Sequence, residues 1–350
     1  MTPARPSRRP LVTVVMPIHD RFALARRALE SIYGQTHRPV EAIVVDDASS
    51  PPFAPPSVAD SKGVEVRVRR IDENVGPGAA REAGRRLASG EYIAYLDSDD
   101  AWHPQHLAGL VGALDRHSDA DMAWAPSIEM HEGDERALRR YNDEVHERIL
   151  PALLWGRPWH TSACLWRRTL SDAIGPWMPL WTWEDYEHDC RAGALGARIV
   201  RAESATCYVG CDAPNRQSDA GRDARRADSF GRAVIAMSWR LASTDWLSDR
   251  AVRGRMRGLL LGAAARAAEA GLAPLAAELV HETRRWSRAR GRLAVAAYAG
   301  VPMLPVLRGS LSARIFRWAR RVSDSRSARP AAPVTSAGIA ELPERKATNS

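Results

Sequence analysis

Three acidic groupings in this 350-residue chain have the types and spacing to do chemistry: Asp97, Ser98, Asp99 and Asp100 in GEYIAYLDSDD, Asp46 and Asp47 in EAIVVDD, and Glu184 and Asp185 in TWEDYEHD. Asp97 and Asp99, one residue apart at the end of an apolar run, point to the same side of an extended chain. There they can hold a hard divalent cation through oxygen ligands. Mg2+ and Mn2+ are commonly shared between one or two carboxylates and substrate phosphates, so a diphosphate is the expected second partner. Without a cation, three adjacent carboxylates in a crevice raise one another's pKa; a divalent ion keeps them ionised. Each grouping also has an ordinary explanation. Asp100 can cap a helix beginning near His103, Asp46 and Asp47 can cap a turn before ASSPP, and Glu184 and Asp185 can open a helix whose N-terminal dipole favours acid.

The surrounding elements decide whether these residues meet. LVTVVMP (Leu11 to Pro17), EAIVVDD (Glu41 to Asp47), VEVRVRR (Val64 to Arg70) and EYIAYLD (Glu91 to Asp97) are strand-like, with helical spacing at Phe22, Ala25, Leu29 and Ile32 and again from Gly78 to Leu87. Such alternation predicts a mainly parallel sheet covered on both faces. All but the third strand end in polar residues, and ligands of open α/β sheets bind outside the carboxyl ends of the strands. NVGPGAAREAG sets Gly76 and Gly78 before a helix, with Arg81 one turn in, an arrangement suited to phosphate or base contact. It is not a P-loop, since no Gly-Lys-Ser or Gly-Lys-Thr follows.

Farther on, the pattern predicts a helix through Leu107, Leu110, Val111 and Leu114, and a short strand in DMAWAP. A polar loop from Glu129 to Asp143 and a helix near Val145 to Leu154 follow, then a strand in SACLWRR. A helix in TWEDYEHDCRAGALG precedes strands in ARIVRAESATCYV that return to the sheet. Residues 228–320 hold helical stretches rich in Ala, Arg and Leu.

Taken in order, VVMPIHDR, VVDDASS, NVGPGAAREAG, GEYIAYLDSDD and WEDYEHDCRAGALG resemble the motifs of inverting family 2 glycosyltransferases of the GT-A fold, over roughly residues 11 to 215. The resemblance implies an α/β GT-A fold, here with a C-terminal helical appendage. It implies that Asp46 hydrogen-bonds a nucleotide base beside Asp47, Pro17 and His19, with Gly76 and Arg81 also facing the nucleotide. By the same resemblance Asp97 lies near the ribose and the metal, Asp99 is the more direct metal ligand, and Asp185 is the general base that deprotonates an acceptor hydroxyl. The implied cofactor is a divalent cation, Mn2+ or Mg2+, and the implied partners are a nucleoside-diphosphate sugar donor, first of all a UDP-sugar, and a glycan, lipid-linked or small-molecule acceptor. Trp177, Trp181 and Trp183 precede the acidic motif and can stack on apolar sugar faces or pack in the core.

Two departures stand out. His19 and Asp20 replace a commoner Tyr-Asn, and CYVGCDAPNRQS lacks the His often found in the family's return strand, leaving Asp212, Asn215 or Arg216 to take its place. Two other functions were weighed. A sugar-nucleotide pyrophosphorylase would need a Gly-rich opening loop that is missing, and a non-catalytic sugar-binding module would fit only if Asp99 or Asp185 were absent.

Composition sets the outer bounds. The net charge of +8 rests on Arg, since Lys appears only at Lys62 and Lys346. Arg suits phosphate and carboxylate partners, but no nucleic-acid-binding signature accompanies it, so no nucleic-acid partner is expected. Four cysteines, Cys164, Cys190, Cys207 and Cys211, are too few for a disulfide framework and fit a reducing cytoplasm; Cys207 and Cys211 lack the second pair of a zinc site. The basic start does not resemble a signal peptide. The expected organisation is a flexible 1–10, a GT-A domain over 11–222, a helical region over 223–322 and a Ser-, Ala- and Pro-rich tail over 323–350 that is expected to be disordered. The apolar stretch Leu293 to Leu307 is too short to span a bilayer and holds two prolines. With the clustered Arg it suggests a peripheral position at the inner face of a membrane.

Overall fold

A computed structural model describes residues 9–55, 63–130, 139–141, 144–210 and 223–287. The expected N-terminal arm up to residue 8, the C-terminal tail, Leu293 to Leu307, and Cys211, Asp212, Asn215 and Arg216 lie outside the described residues.

The first half alternates strand and helix: β1 (Val12–Ile18), α1 (Phe22–Tyr33), β2 (Val40–Asp47), β3 (Glu65–Ile71), α2 (Pro77–Arg85) and β4 (Tyr92–Tyr95). After the short β5 (Ala101–Trp102) come α3 (His106–Arg116), β6 (Met122–Trp124), β7 (Ser127–Met130) and β8 (Arg139–Tyr141), then β9 (Cys164–Arg167), α4 (Arg168–Ile174) and α5 (Glu184–Ala194). Next are β10 (Ile199–Arg201), β11 (Cys207–Gly210), α6 (Ala224–Ala242), α7 (Arg250–Glu269) and α8 (Ala273–Glu282).

Seven strands form the main sheet in the order β10-β6-β9-β4-β1-β2-β3. All neighbours are parallel except β9, which runs antiparallel to both β4 and β6. The register places Ile18 beside Asp46 and Asp46 beside Arg70, so β1, β2 and β3 end level at one edge. β1, β2 and β4 are mostly apolar because both faces are covered, whereas the edge strand β3, EVRVRRI, is largely exposed. Val15, Ile43 and Val45 face one core shared with α2, α5 and α6 to α8, while Val14, Met16, Ala42 and Val44 face a second core with α1 and α3. Phe230, Val234, Met237, Met256 and Leu260 belong to the first of these cores, so the C-terminal helices are packed into the sheet domain.

Three local expectations are corrected. Val145 to Leu154 is not a helix: Arg148 bridges Arg198 in extended chain, and only Ala152–Leu154 make a 3-10 turn. Pro151 lacks the amide a helix interior needs and drives Leu150 out of the helical region. The stretch expected as a polar loop from Glu129 contributes the end of β7 and all of β8 to a second, four-stranded sheet ordered β5-β11-β7-β8. There backbone pairing overrides a sequence without apolar alternation. β10 joins the main sheet as expected, but β11 pairs with β5 and β7 in the small sheet.

Candidate active site

The carboxyl ends of β1, β2 and β4 open into a cavity of about 800 Å3 whose opposite wall is Trp181 to Tyr186 at the start of α5. Pro17, His19, Asp47, Gly76, Arg81, Asp97, Asp99 and Asp185 all line it. Asp46, expected at the nucleotide base, does not line this cavity.

Asp46 is 1% exposed. Its carboxylate accepts from the Ser49 amide at 3.0 Å and the Phe53 amide at 2.9 Å, and Arg70 Nη1 lies 2.6 Å away. Burial works against its charge, but these donors outweigh it and hold its carboxyl below the ordinary range. Asp47 accepts from the amides of Val75 at 2.8 Å and Gly76 at 2.9 Å, fastening the loop before α2 to the end of β2. Its carboxyl is raised, because burial exceeds the pull of those two amides. His19 Nδ1 lies 2.6 Å from the Asp47 carbonyl oxygen and must therefore carry the proton there.

The β4 end is built differently. The Asp97 amide donates to Ser162 Oγ at 3.0 Å, and Ser162 Oγ donates to Asp100 Oδ2 at 2.6 Å. Asp100 also accepts from the Gly210 amide at 3.1 Å, so it ties the strand end to the small sheet. Burial, with Asp99 and Asp97 adding repulsion, pushes the Asp100 carboxyl well up. The Asp97 and Asp99 carboxylates instead meet arginines: Arg81 Nη2 reaches Asp97 Oδ1 at 2.6 Å and Arg21 Nη1 reaches Asp99 Oδ2 at 3.3 Å. Arg81 is itself buried and uses Nη1 on Glu184 Oε1 at 2.7 Å, spanning the two sides of the cavity. Burial opposes the Arg81 charge, yet Asp97 and Glu184 more than offset it. Glu184 is pushed up to about 7 by burial, against the pull of Arg81.

The far wall sorts the three tryptophans. Trp177 is core: it stacks on His188 at 4.0 Å between ring centroids and meets Tyr95 edge-on at 4.8 Å. Trp181 and Trp183 line the cavity. Arg225 of α6 lies 4.3 Å over the Trp181 ring, and Trp183 stacks on Tyr186 at 4.4 Å. Gly76, with φ +84°, is held so close to Trp181 that a Cβ would stand 3.0 Å from its ring. Four non-glycine residues among those described have positive φ, Asp20, Arg21, Ala48 and Trp183. Three line the cavity and the fourth follows Asp47, a concentration of backbone strain that marks a functional site.

Asp185, its side chain 25% exposed, stands on the cavity side of α5, 3.2 Å from Arg157 Nη1 and 3.4 Å from Thr161 Oγ1. Arg157, Thr161 and Ser162 were not found by reading the sequence. Their only signal was a cluster of polar residues in WGRPWHTSACLW, with no spacing that names a function.

The donor set for a cation was tested on chemistry. Asp97 and Asp99 supply hard oxygen ligands at the cavity, with side chains 32% and 18% exposed. No group of three or more His, Cys, Asp or Glu able to hold a metal occurs among the described residues. Two carboxylates fit an ion that completes its shell with substrate phosphates and water, and do not fit an all-protein cage.

Comparison with known proteins agrees with this architecture. Residues 13–175 match the profile of Glycosyl transferase family 2. The succinoglycan biosynthesis protein ExoW of Rhizobium meliloti (strain 1021) is 36% identical over 118 residues, which are 33% of this chain and 37% of ExoW. ExoO of the same organism is 34% identical over 158 residues, 44% of each chain. The chain thus spans less than half the length of either curated relative. The crystal structure of S. aureus TarS 1-349 in complex with UDP-GlcNAc superposes with a TM-score of 0.60 over 90% of each chain at 15% identity, a likeness of fold. Residues 13–175 are thus similar to glycosyl transferase family 2, and the fold is of the GT-A type.

Proposed function

We propose that the protein is a metal-dependent inverting glycosyltransferase that moves a sugar from a nucleoside-diphosphate donor, a UDP-sugar first of all, to a hydroxyl acceptor in surface polysaccharide or glycoconjugate synthesis. The observation that carries this reading is the pair of cavity-lining carboxylates at the β4 end, Asp97 and Asp99, facing Asp185 across one cavity. The names of ExoW and ExoO, both succinoglycan biosynthesis proteins, favour the polysaccharide setting.

In this reading Pro17, His19, Asp47 and Gly76 receive the nucleotide, and Asp46 acts at the base pocket through the loop it holds. Asp97 and Asp99 would hold Mn2+ or Mg2+, whose charge, when bound, offsets that developing on the departing diphosphate. Trp181 and Trp183 offer aromatic faces to the sugars. Asp185 accepts the proton of the acceptor hydroxyl as that oxygen attacks the anomeric carbon from the side opposite the diphosphate. The new carbon–oxygen bond forms as the bond to the diphosphate breaks, and one such displacement inverts the centre. A positioned base of this kind contributes about 10²- to 10⁴-fold.

The test is release of UDP from a panel of UDP-sugars with Mn2+, with the anomeric configuration of the product read by NMR. Expected are inversion, and an Asp185→Asn enzyme that binds UDP like the parent but turns over at least about 10²-fold more slowly. Retention, or near-parent turnover by Asp185→Asn, overturns the mechanism. No helix of the described residues is long and apolar enough to cross a membrane. The proposed cytoplasmic, peripheral placement is tested by flotation with vesicles containing anionic lipid, and absence of binding at low salt removes it.

A further inference from the structure

Asp185 and Asp189 lie one turn apart on α5, so their carboxylates share a helix face, where like charges repel. One guanidinium answers both. Arg157 approaches from the segment before the 3-10 turn Thr161–Ala163, directing Nε to Asp189 Oδ2 at 2.8 Å and Nη1 to Asp185 Oδ2 at 3.2 Å. The same Nη1 donates to Thr161 Oγ1 at 3.1 Å, and Thr161 Oγ1 lies 3.4 Å from Asp185 Oδ2. The Arg157 amide reaches Tyr186 OH at 3.3 Å, and the Tyr186 amide donates to Asp185 Oδ1 at 2.7 Å.

The two carboxylates are not equivalent. Asp189 is fully buried and takes a second donor, Trp159 Nε1, at 2.8 Å; Asp185 remains at the cavity. Arg157 has 7% of its side chain exposed, and its placement is set by the buried partner. Pinned on one edge by Asp189, the planar fork fixes the direction of the Asp185 oxygens with the other.

We propose that Arg157 is a positioning residue that aims the Asp185 carboxylate at the acceptor hydroxyl, and that Asp189, by holding the other edge of the guanidinium, keeps Arg157 in place to do so. This rests on Asp185 being the base. Among the described residues, other charged or titratable groups near this pair include Glu184 and Tyr186 on α5, His188 with Nδ1 3.5 Å from Asp189 Oδ1, Cys164 at the start of β9, Arg81 of α2 through Glu184, and His160 and Arg226 at the cavity.

The test is a double-mutant cycle read as kcat and KM for UDP release from a UDP-sugar by the full chain with Mn2+. In Arg157→Lys the unforked cation cannot serve both acids, and kcat falls about tenfold with KM for the donor unchanged; Asp189→Asn, which loosens the guanidinium, does the same. In an Asp185→Asn background neither change lowers kcat further, whereas a merely structural role would add its loss there. If Asp189→Asn does not fold, Arg157→Lys decides. Parent kcat in the folded variants, or a full additional loss in the Asp185→Asn background, overturns the proposal. The base assignment fails separately, through near-parent turnover of Asp185→Asn.

Discussion

Two strand ends that look alike in the sequence, VVDDASS after β2 and YLDSDD after β4, are wired in different ways. After β2, carboxylate oxygens of both Asp46 and Asp47 accept from main-chain amides, at Ser49, Phe53, Val75 and Gly76. After β4, Asp97 and Asp99 meet the arginine side chains Arg81 and Arg21, and Asp100 receives a main-chain donor, Gly210. An amide donor cannot leave without exposing an unpaired group, so the β2 acids fix the shape of the loops at this edge of the cavity. A side-chain cation can give way to another cation, so under the proposed function the β4 acids exchange partners when donor and metal enter. In that reading the same residue type serves as scaffold at one edge and as ligand at the next.

The sharpest way to break this contrast is Asp97→Asn. It should lower UDP release by about 10²-fold or more, the effect of losing roughly 3 kcal/mol of charge stabilisation at the leaving diphosphate, while the urea midpoint changes little. Asp46→Ala should do the reverse. Leaving the Ser49 and Phe53 amides without their buried acceptor should cost about 2–3 kcal/mol in urea unfolding. A stable Asp46→Ala protein that has lost nucleotide binding would instead place Asp46 directly on the base.

Glu184 gives a smaller effect with a definite sign. Its carboxyl is raised from 4.5 to about 7 in the folded protein, so the folded state holds that proton more tightly than the unfolded state between these values. The stability it contributes is full below about 4.5 and is lost as pH rises through about 7. Glu184→Gln should flatten the stability profile across that window by on the order of 1–2 kcal/mol. An unchanged slope would mean that Arg81 keeps Glu184 ionised throughout. Smallest is Arg70→Ala: its side chain is 36% exposed beside Asp46, and solvent screening holds the loss to about 0.5–1 kcal/mol.

What was legible in the sequence was what depends on period and order. The apolar runs of β1, β2 and β4 and the acids that follow them specify both the sheet and the edge where ligands collect. The second sheet was not legible because β8 is three residues long and β11 finds its partners, Trp102 and Ser127, far away in the chain. Arg157 was hidden for a related reason. Its meaning lies in reaching Asp185 and Asp189, 28 and 32 residues on, from an irregular segment with no period of its own. The tryptophans show the limit most plainly. Trp177, Trp181 and Trp183 are neighbours in sequence, yet one is core and two face the cavity, a sorting that no periodicity in this stretch encodes.

If Asp97 and Asp99 hold a divalent cation against a donor diphosphate, UDP should bind the full chain more tightly when Mn2+ is added, and Asp99→Ala should lose that Mn2+ dependence. Calorimetric titration of UDP into both proteins, with and without Mn2+, measures this. Equal UDP affinity with and without Mn2+ in the parent, or the same Mn2+ gain in both proteins, would rule the cation site out.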